Sequence, residues 1–228
     1  PFDRGIGVYF LSVNRNKRSI AVDFRDSRGL AVIRDLLAAA DVVVDNFKPG
    51  TMDRMGLGDA ALEALNPRLV RCSISGFGSE GPYGSRPGFD QVAQGMSGLM
   101  SITGAADGEG FRVGLPIGDL VGGMWGAIGI EGALLERVRT GRGRRVETSL
   151  LSGLVGLLCV QGQRTLSLGE VPERVGNHHP VIAAYGTFSA ADAPINVAAA
   201  TEGMWRALCR VLDAPALADD PRFVDNAA

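Results

Sequence analysis

Ser19-Ile-Ala-Val-Asp-Phe24, Leu30 to Leu37, and Asp41-Val-Val-Val-Asp45 together decide the fold. The first run is short and rich in β-formers. In the second, Leu30, Ile33, Leu36 and Leu37 recur at helical spacing, and the third is again a strand-length apolar run. The three make a β-α-β unit. A turn at Lys48-Pro-Gly50, a short helix over residues 59–65, Asn66-Pro67 and a strand over 69–75 continue the alternation. Strands alternating with helices predict an α/β fold, a Rossmann-like parallel sheet with right-handed crossovers, whose ligands bind at the carboxyl ends of the strands. The loops of interest are therefore Asp45-Asn-Phe-Lys-Pro-Gly50 and Ser75-Gly-Phe-Gly78.

Further along, Leu115-Pro-Ile-Gly-Asp119-Leu-Val-Gly-Gly123 sets one carboxylate between a glycine and a long apolar run. Asp is a favoured N-cap, and the helix dipole favours its ionised form, so Asp119 reads as the cap of a long helix. A held, ionised carboxylate can equally serve as a nucleophile. After this helix come the Thr140-Gly-Arg-Gly143 turn, a strand over 144–147 and an apolar helix over 149–159. Residues 162–173 are polar and read as a linker. Beyond them, runs at 185–188 and 195–199 flank Ala191-Asp-Ala-Pro194 as a hairpin, ahead of a helix over 202–212. These changes of character divide the chain into a large domain over 1–160, a linking segment over 161–180 and the start of a smaller α+β domain over 181–228.

The chain of 228 residues is 46% hydrophobic and 21% charged, with a formal net charge of −2. That composition can bury a substantial core, and its near-neutral balance supplies neither the basic field of a nucleic-acid binder nor a polybasic membrane cluster. Cys72, Cys159 and Cys209 lie far apart without Cys-x-x-Cys spacing, which indicates no disulfide framework and no zinc site, and fits a reducing, cytoplasmic setting. The apolar run over 120–135 contains Glu131 and several glycines and falls short of about 20 clean residues, so it reads as a packed helix rather than a membrane span.

Gly76-Phe-Gly78-Ser-Glu-Gly81 matches a dinucleotide fingerprint literally, yet Pro82, Tyr83, Gly84 and Pro87 follow where a helix is required. Without a helix N-terminus to hold a pyrophosphate, a nicotinamide site is rejected. His178 and His179 are adjacent, and neighbours on an extended chain point to opposite faces, so joint metal ligation is not expected. Arg15, Lys17, Arg18, Arg25, Lys48, Arg54 and Arg86 are read individually as solvated; several converging on one rim would suit a polyphosphate ligand.

Asn14-Arg-Asn-Lys-Arg-Ser-Ile-Ala-Val-Asp23, Ala40-Asp-Val-Val-Val-Asp-Asn-Phe-Lys-Pro-Gly50, Asn66-Pro-Arg68, Ser73-Ile-Ser-Gly-Phe-Gly78, Gly81-Pro82, Arg86-Pro-Gly-Phe-Asp90, Ser97-Gly-Leu-Met100, Gly118-Asp119, Thr140-Gly-Arg-Gly143 and Gly176-Asn177 follow one another in order. As an ordered set they resemble the family III CoA-transferases, the CaiB/BaiF family. Relative to such proteins the chain looks like an internal fragment, without the first β-α unit and ending early in the small domain. The resemblance implies an interlocked homodimer, no tightly bound cofactor, and coenzyme A or acyl-CoA as substrate.

It also implies that Asp119 is the nucleophile, exchanging CoA between an acyl-CoA donor and a small carboxylic acid acceptor through an aspartyl-CoA thioester. An ionised Asp needs no general base to attack. Nearby backbone N–H groups are expected to stabilise the developing oxyanions. By the same resemblance, CoA contacts fall on Val22, Asp23, Phe24 and Arg25, on Asn46, Phe47 and Lys48, on Arg54, and on Arg86 as a phosphate partner.

Two departures from the family patterns bear on the reaction. The family's racemases carry Gly-His-Asp where this chain has Gly88-Phe89-Asp90, and phenylalanine cannot move a proton. That favours CoA transfer over 2-methylacyl-CoA racemisation. The formyl-CoA transferases carry a glycine-rich lid after Gly-Asn, whereas Gly176-Asn177 is followed here by His178-His179-Pro180, which argues against oxalate as acceptor. Either histidine is a candidate contact for an acceptor carboxylate, and succinyl-CoA is the expected donor. The alternatives are a racemase-like enzyme of the same family and a CoA-binding piece without turnover.

Overall fold

The structure is a computed structural model describing residues 1–84 and 86–223. The chain opens on two-residue strands β1 (Phe2–Asp3) and β2 (Ile6–Gly7), paired antiparallel, and a short helix α1 (Val8–Val13). There follow α2 (Ser27–Ala39), β3 (Val42–Asp45), α3 (Thr51–Arg54), α4 (Asp59–Leu65), β4 (Val70–Ser75) and α5 (Asp90–Met96). Then come α6 (Ile117–Thr140), β5 (Arg145–Ser149), α7 (Leu150–Leu157), α8 (Cys159–Leu168), the strands β6 (Tyr185–Ser189) and β7 (Pro194–Ala198), and α9 (Glu202–Val211). Strands β3, β4 and β5 form a parallel sheet in that order, so the architecture is the expected α/β type. Strands β6 and β7 make the expected antiparallel hairpin, with Ser189 opposite Pro194 across the turn.

Two expectations are corrected. Residues 19–23 form no strand, because a run of β-forming residues does not by itself supply a partner to complete its ladder. Instead, Asp23 accepts the Arg25 N–H on its side chain at 2.9 Å and the Asp26 N–H on its carbonyl at 3.2 Å. This turn feeds α2, whose N-cap Asp26 accepts from the Arg28 N–H. The polar stretch beginning at 162 is also not all linker: α8 continues to Leu168 and stops at Gly169, which takes the left-handed φ of 71° that ends helices readily. Polar composition alone does not separate a solvated helix from a loop.

The chain forms two compact units. In the first, made of Pro1–Val44, Gly50–Cys72 and Ile130–Val146, Leu37, Leu57, Leu62 and Leu69 are buried against Leu30, Ile33, Val43, Met52 and Met55. Each fully buried leucine contributes about 1.5–3 kcal/mol. Asn66 explains the Asn-Pro signal: its side-chain N–H₂ donates to the carbonyls of Leu37, Ala38 and Ala40 at 3.1, 3.3 and 3.0 Å, satisfying the open C-terminal end of α2. The partly exposed rim of this unit carries ion pairs from Arg71 to Asp59 and Glu63, from Arg142 to Glu63 and from Arg137 to Asp41.

The second unit comprises Asp45–Pro49, Ser73–Gly129 and the chain from Glu147. Its core sets Ala93 of α5 and Leu150 and Leu154 of α7 against Ile74, Leu99 and Ile117. Glycines thin the face of α6 that meets α7. A Cβ on Gly122 would touch Ile74 and Leu150, and one on Gly153 would press within 2.9 Å of Val121. Among the described residues, no helix is long and apolar enough to cross a membrane.

Candidate active site

Asp119 lies in the first turn of α6 as its third residue, not at the N-cap. Pro116 supplies the carbonyl that accepts the Leu120 N–H at 3.1 Å, so the helix begins at Ile117 and carries Asp119 inside it. The third position still faces the positive end of the helix dipole. The residue is exposed. Even so, partial burial of the carboxyl, with the negative charge of Asp90 beside it, raises the Asp119 pKa from its ordinary 3.8. The environment therefore makes this carboxylate a costlier anion than a surface aspartate.

The residue before it is held tightly. Gly118 is buried, and its N–H donates to Asp90 Oδ1 at 2.7 Å. A Cβ at position 118 would stand 3.0 Å from that oxygen and 3.2 Å from Leu154 Cδ1, so only glycine fits without displacement. Asp90 Oδ2 accepts from Gln94 Nε2 at 2.7 Å, and Gln94, fully buried, uses its Oε1 to accept the Val113 N–H at 2.8 Å. The start of α5 is seated by two glycines in backbone contact, Gly76 and Gly88. The Gly118 N–H is committed to Asp90 and is not among the free backbone donors that could meet an oxyanion in this arrangement.

The remaining expected site residues fall into separate sets. In the first unit, Val22 and Asp23 pack against Gly29, where a Cβ would overlap the Asp23 carbonyl, and Phe24 and Arg25 follow in the turn before α2. Arg25 is exposed beside Asp23 at 3.9 Å, and Arg54, in α3, donates to Thr51 Oγ1 at 2.7 Å. In the second unit, Asn46, Phe47 and Lys48 directly follow β3, at the carboxyl end of the sheet where ligands of such folds bind. Asn46 Nδ2 donates to the Ile74 carbonyl at 2.5 Å, Asp45 Oδ1 accepts the Phe47 N–H at 3.2 Å and Ser73 Oγ donates to Asp45 Oδ2 at 2.7 Å. These bonds fix the loop and leave the Lys48 side chain exposed. Arg86 is exposed, with its guanidinium carbon 4.5 Å from the Tyr83 ring centroid.

Among the described residues, no helix follows Gly76-Phe-Gly78-Ser-Glu-Gly81 until α5 at Asp90, whereas a dinucleotide fingerprint opens a helix. Its glycine turn is tied down by Ser75 Oγ, which accepts the Gly78 N–H, and by Glu147, which accepts the Ser79 N–H at 2.6 Å. The two histidines serve local structure. His179 Nδ1 accepts the N–H groups of Val181 and Ile182 at 3.2 and 3.1 Å, which makes Nε2 the protonated nitrogen, and His178 meets Phe188 edge-on at 5.4 Å. Among the described residues, no group of three or more His, Cys, Asp or Glu could hold a metal ion. Sequence reasoning missed Asp90 and Gln94, although Asp90 stood within a quoted motif; an acidic residue just after Pro87-Gly88-Phe89, at a helix start, was the available signal.

The family description "CoA-transferase family III" matches residues 1–228. An acetyl-CoA:oxalate CoA-transferase of Acetobacter aceti is 40% identical over 99% of this chain and 58% of its own length. A succinate–glutarate CoA-transferase of Agrobacterium fabrum is 40% identical over 97% of this chain and 55% of its own length. Among solved structures, a CaiB/BaiF family protein from Brucella suis matches with a TM-score of 0.85 and 41% identity, covering 98% of this chain and 60% of that one. The chain thus spans little more than half the length of these relatives. With a match along its whole length and this likeness of fold, the chain belongs to CoA-transferase family III.

Proposed function

We propose that this protein transfers CoA from an acyl-CoA thioester to a free carboxylic acid, with Asp119 as the covalent nucleophile. The observation that carries this reading is an exposed carboxylate in the first turn of α6 whose preceding residue, itself buried, is held by a partly buried hydrogen bond to Asp90. Such a group is accessible to a thioester and constrained in position.

The Asp119 carboxylate attacks the thioester carbonyl carbon, the C–S bond breaks, and CoA leaves as thiolate from a mixed anhydride. The thiolate attacks the aspartyl carbonyl carbon of that anhydride, forming the aspartyl-CoA thioester and releasing the donor as its carboxylate. The acceptor carboxylate then attacks the aspartyl thioester, giving a second mixed anhydride and thiolate. Attack of the thiolate on the acceptor's carbonyl carbon yields the new acyl-CoA and restores Asp119. No net proton or redox change is required.

Lys48, Arg54 and Arg86 are assigned to CoA phosphates, and Val22, Asp23, Phe24, Arg25, Asn46 and Phe47 to further CoA contacts. Charge-assisted contacts from exposed cations suit a polyphosphate ligand. Succinyl-CoA is the proposed donor and a small carboxylic acid the acceptor; relatives named for succinate, glutarate and mesaconate support that class. The racemase reading is disfavoured by Phe89, which stands where a proton-transferring histidine is needed. We also assign the protein to the cytoplasm as a homodimer.

Mass spectrometry after incubation of the protein with its native flanks, succinyl-CoA and borohydride tests the mechanism, since borohydride reduces an aspartyl thioester to the alcohol. A mass change confined to the Asp119 peptide is expected. Unmodified Asp119 with CoA binding intact would overturn the covalent step.

A further inference from the structure

We propose that Asp90 and Gln94 are positioning residues for the transfer reaction, a partly buried hydrogen-bond relay that fixes the first turn of α6 and so aims Asp119 at the thioester. This rests on the assignment of Asp119 as nucleophile. The relay runs from the Val113 N–H into Gln94 Oε1 at 2.8 Å, from Gln94 Nε2 into Asp90 Oδ2 at 2.7 Å, and from the Gly118 N–H into Asp90 Oδ1 at 2.7 Å. Gln94 Nε2 also lies 3.4 Å from the Leu115 carbonyl. The segment from Val113 to Gly118 that leads into the catalytic turn is thus gripped at both ends by α5.

The chemistry of each atom sets the orientation. Val113 offers a donor and Asp90 an acceptor, so Gln94 must present its oxygen to the former and its nitrogen to the latter. Gln94 has no solvent exposure, and a buried amide left half-satisfied is costly, so the relay is either complete or strongly disfavoured. Gly118 completes the device by lacking the Cβ that would lie 3.0 Å from Asp90 Oδ1. A carboxylate is not needed merely to cap a surface helix. A half-buried one, joined to a fully buried amide and directed at the residue next to the nucleophile, is suited to holding geometry through the reaction.

Asp90→Asn keeps an acceptor for Gly118 but turns a donor toward the Gln94 amide, which breaks the relay. Asp90→Asn with Gln94→Glu restores all three short bonds with the charge moved to position 94, losing only the long contact to Leu115. In the full-length protein, wild type should give the borohydride-trapped Asp119 adduct, and Asp90→Asn should lower kcat about 10–100-fold with KM for the acyl-CoA within about twofold. The double variant should recover kcat to within about threefold of wild type. Gln94→Met, which leaves the Asp90–Gly118 bond but removes its brace, should lower kcat about 3–10-fold and provides the reading if Asp90→Asn does not fold.

Wild type without the Asp119 adduct would overturn the nucleophile assignment and this proposal with it. An intact wild-type adduct with unchanged kcat in Asp90→Asn, or in Gln94→Met, would overturn the relay alone. So would a kcat loss in Asp90→Asn that the double variant fails to recover while its thermal stability returns to the wild-type level.

Discussion

Gly76 and Gly88 meet backbone to backbone: a Cβ on either would fall well inside van der Waals contact with the Cα of the other. Gly76 ends the strand-to-loop passage after β4, and Gly88 lies two residues before α5, so this crossing fixes where Asp90 begins its helix. Neither glycine has a positive φ, and what each position requires is the absence of a side chain. The same loop is anchored from α7, where the Leu151 N–H donates to the Gly76 carbonyl at 3.1 Å.

Gly76→Ala is therefore expected to destabilise the protein by about 1–3 kcal/mol or more, the cost of overpacking where the obstructing atom is backbone and cannot rotate away. Gly81→Ala serves as a control of another kind, since nothing lies within 4 Å of a Cβ there but its φ is +80°. Its cost should be the strain of a left-handed alanine alone, about 1 kcal/mol. Denaturant unfolding of both variants checks the order.

Asn66→Ala should cost about 1–3 kcal/mol, because the three carbonyls at the end of α2 lose their shared donor. Asn66→Asp should be no better, since a carboxylate offers acceptors to acceptors. Thermal melts of the two variants at neutral pH provide the comparison; a Tm equal to wild type for either would remove the capping role.

Much of the architecture was legible because the residues that set it act locally. The 3.6-residue spacing of Leu30, Ile33 and Leu37 placed α2, and the valines at 42–44 placed β3, each from its own neighbours in sequence. The strand expected at 19–24 failed because pairing is a property of two segments, and the sequence of one does not reveal the other. Asp119 was identifiable, yet its position inside the helix depended on the Pro116 carbonyl opening the first turn, and its raised pKa depended on partial burial and on Asp90, 29 residues away. Gln94 carried no sequence signal at all. An amide in a short helix becomes meaningful only when burial leaves Val113 and Asp90 as its partners.

His179→Ala should lower stability by about 1 kcal/mol, since two N–H groups lose the Nδ1 acceptor, while His178→Ala should lose mainly an edge-on aromatic contact of about 0.5–1.5 kcal/mol. Neither role involves substrate. If the histidines serve only the fold, KM for the acceptor acid should stay within about twofold in both variants. A selective tenfold rise in acceptor KM, with CoA-donor KM unchanged, would instead assign one of them to the acceptor carboxylate.

Asp119→Asn separates stability from chemistry. Because burial and the Asp90 charge raise the Asp119 pKa above 3.8, the folded protein holds that proton more firmly than the unfolded chain does. Stability contributed by the protonated form is then lost as pH rises from the ordinary value through the raised one, and the cost persists at neutral pH. Replacing the carboxyl by a neutral amide removes it, so Asp119→Asn should melt above wild type at neutral pH, with the gap closing below pH 3.8 where both states are protonated. Turnover should fall on the order of a thousandfold or more, because an amide is a poor nucleophile. In the wild type, the acidic limb of kcat/KM should titrate above the ordinary aspartate value, since only the ionised form attacks. Asp90→Asn should move that limb toward the ordinary value by removing the neighbouring charge, whatever it does to the maximal rate. A Tm for Asp119→Asn at or below wild type at neutral pH would show that the carboxylate is stabilised where it sits, contrary to its surroundings of partial burial and like charge.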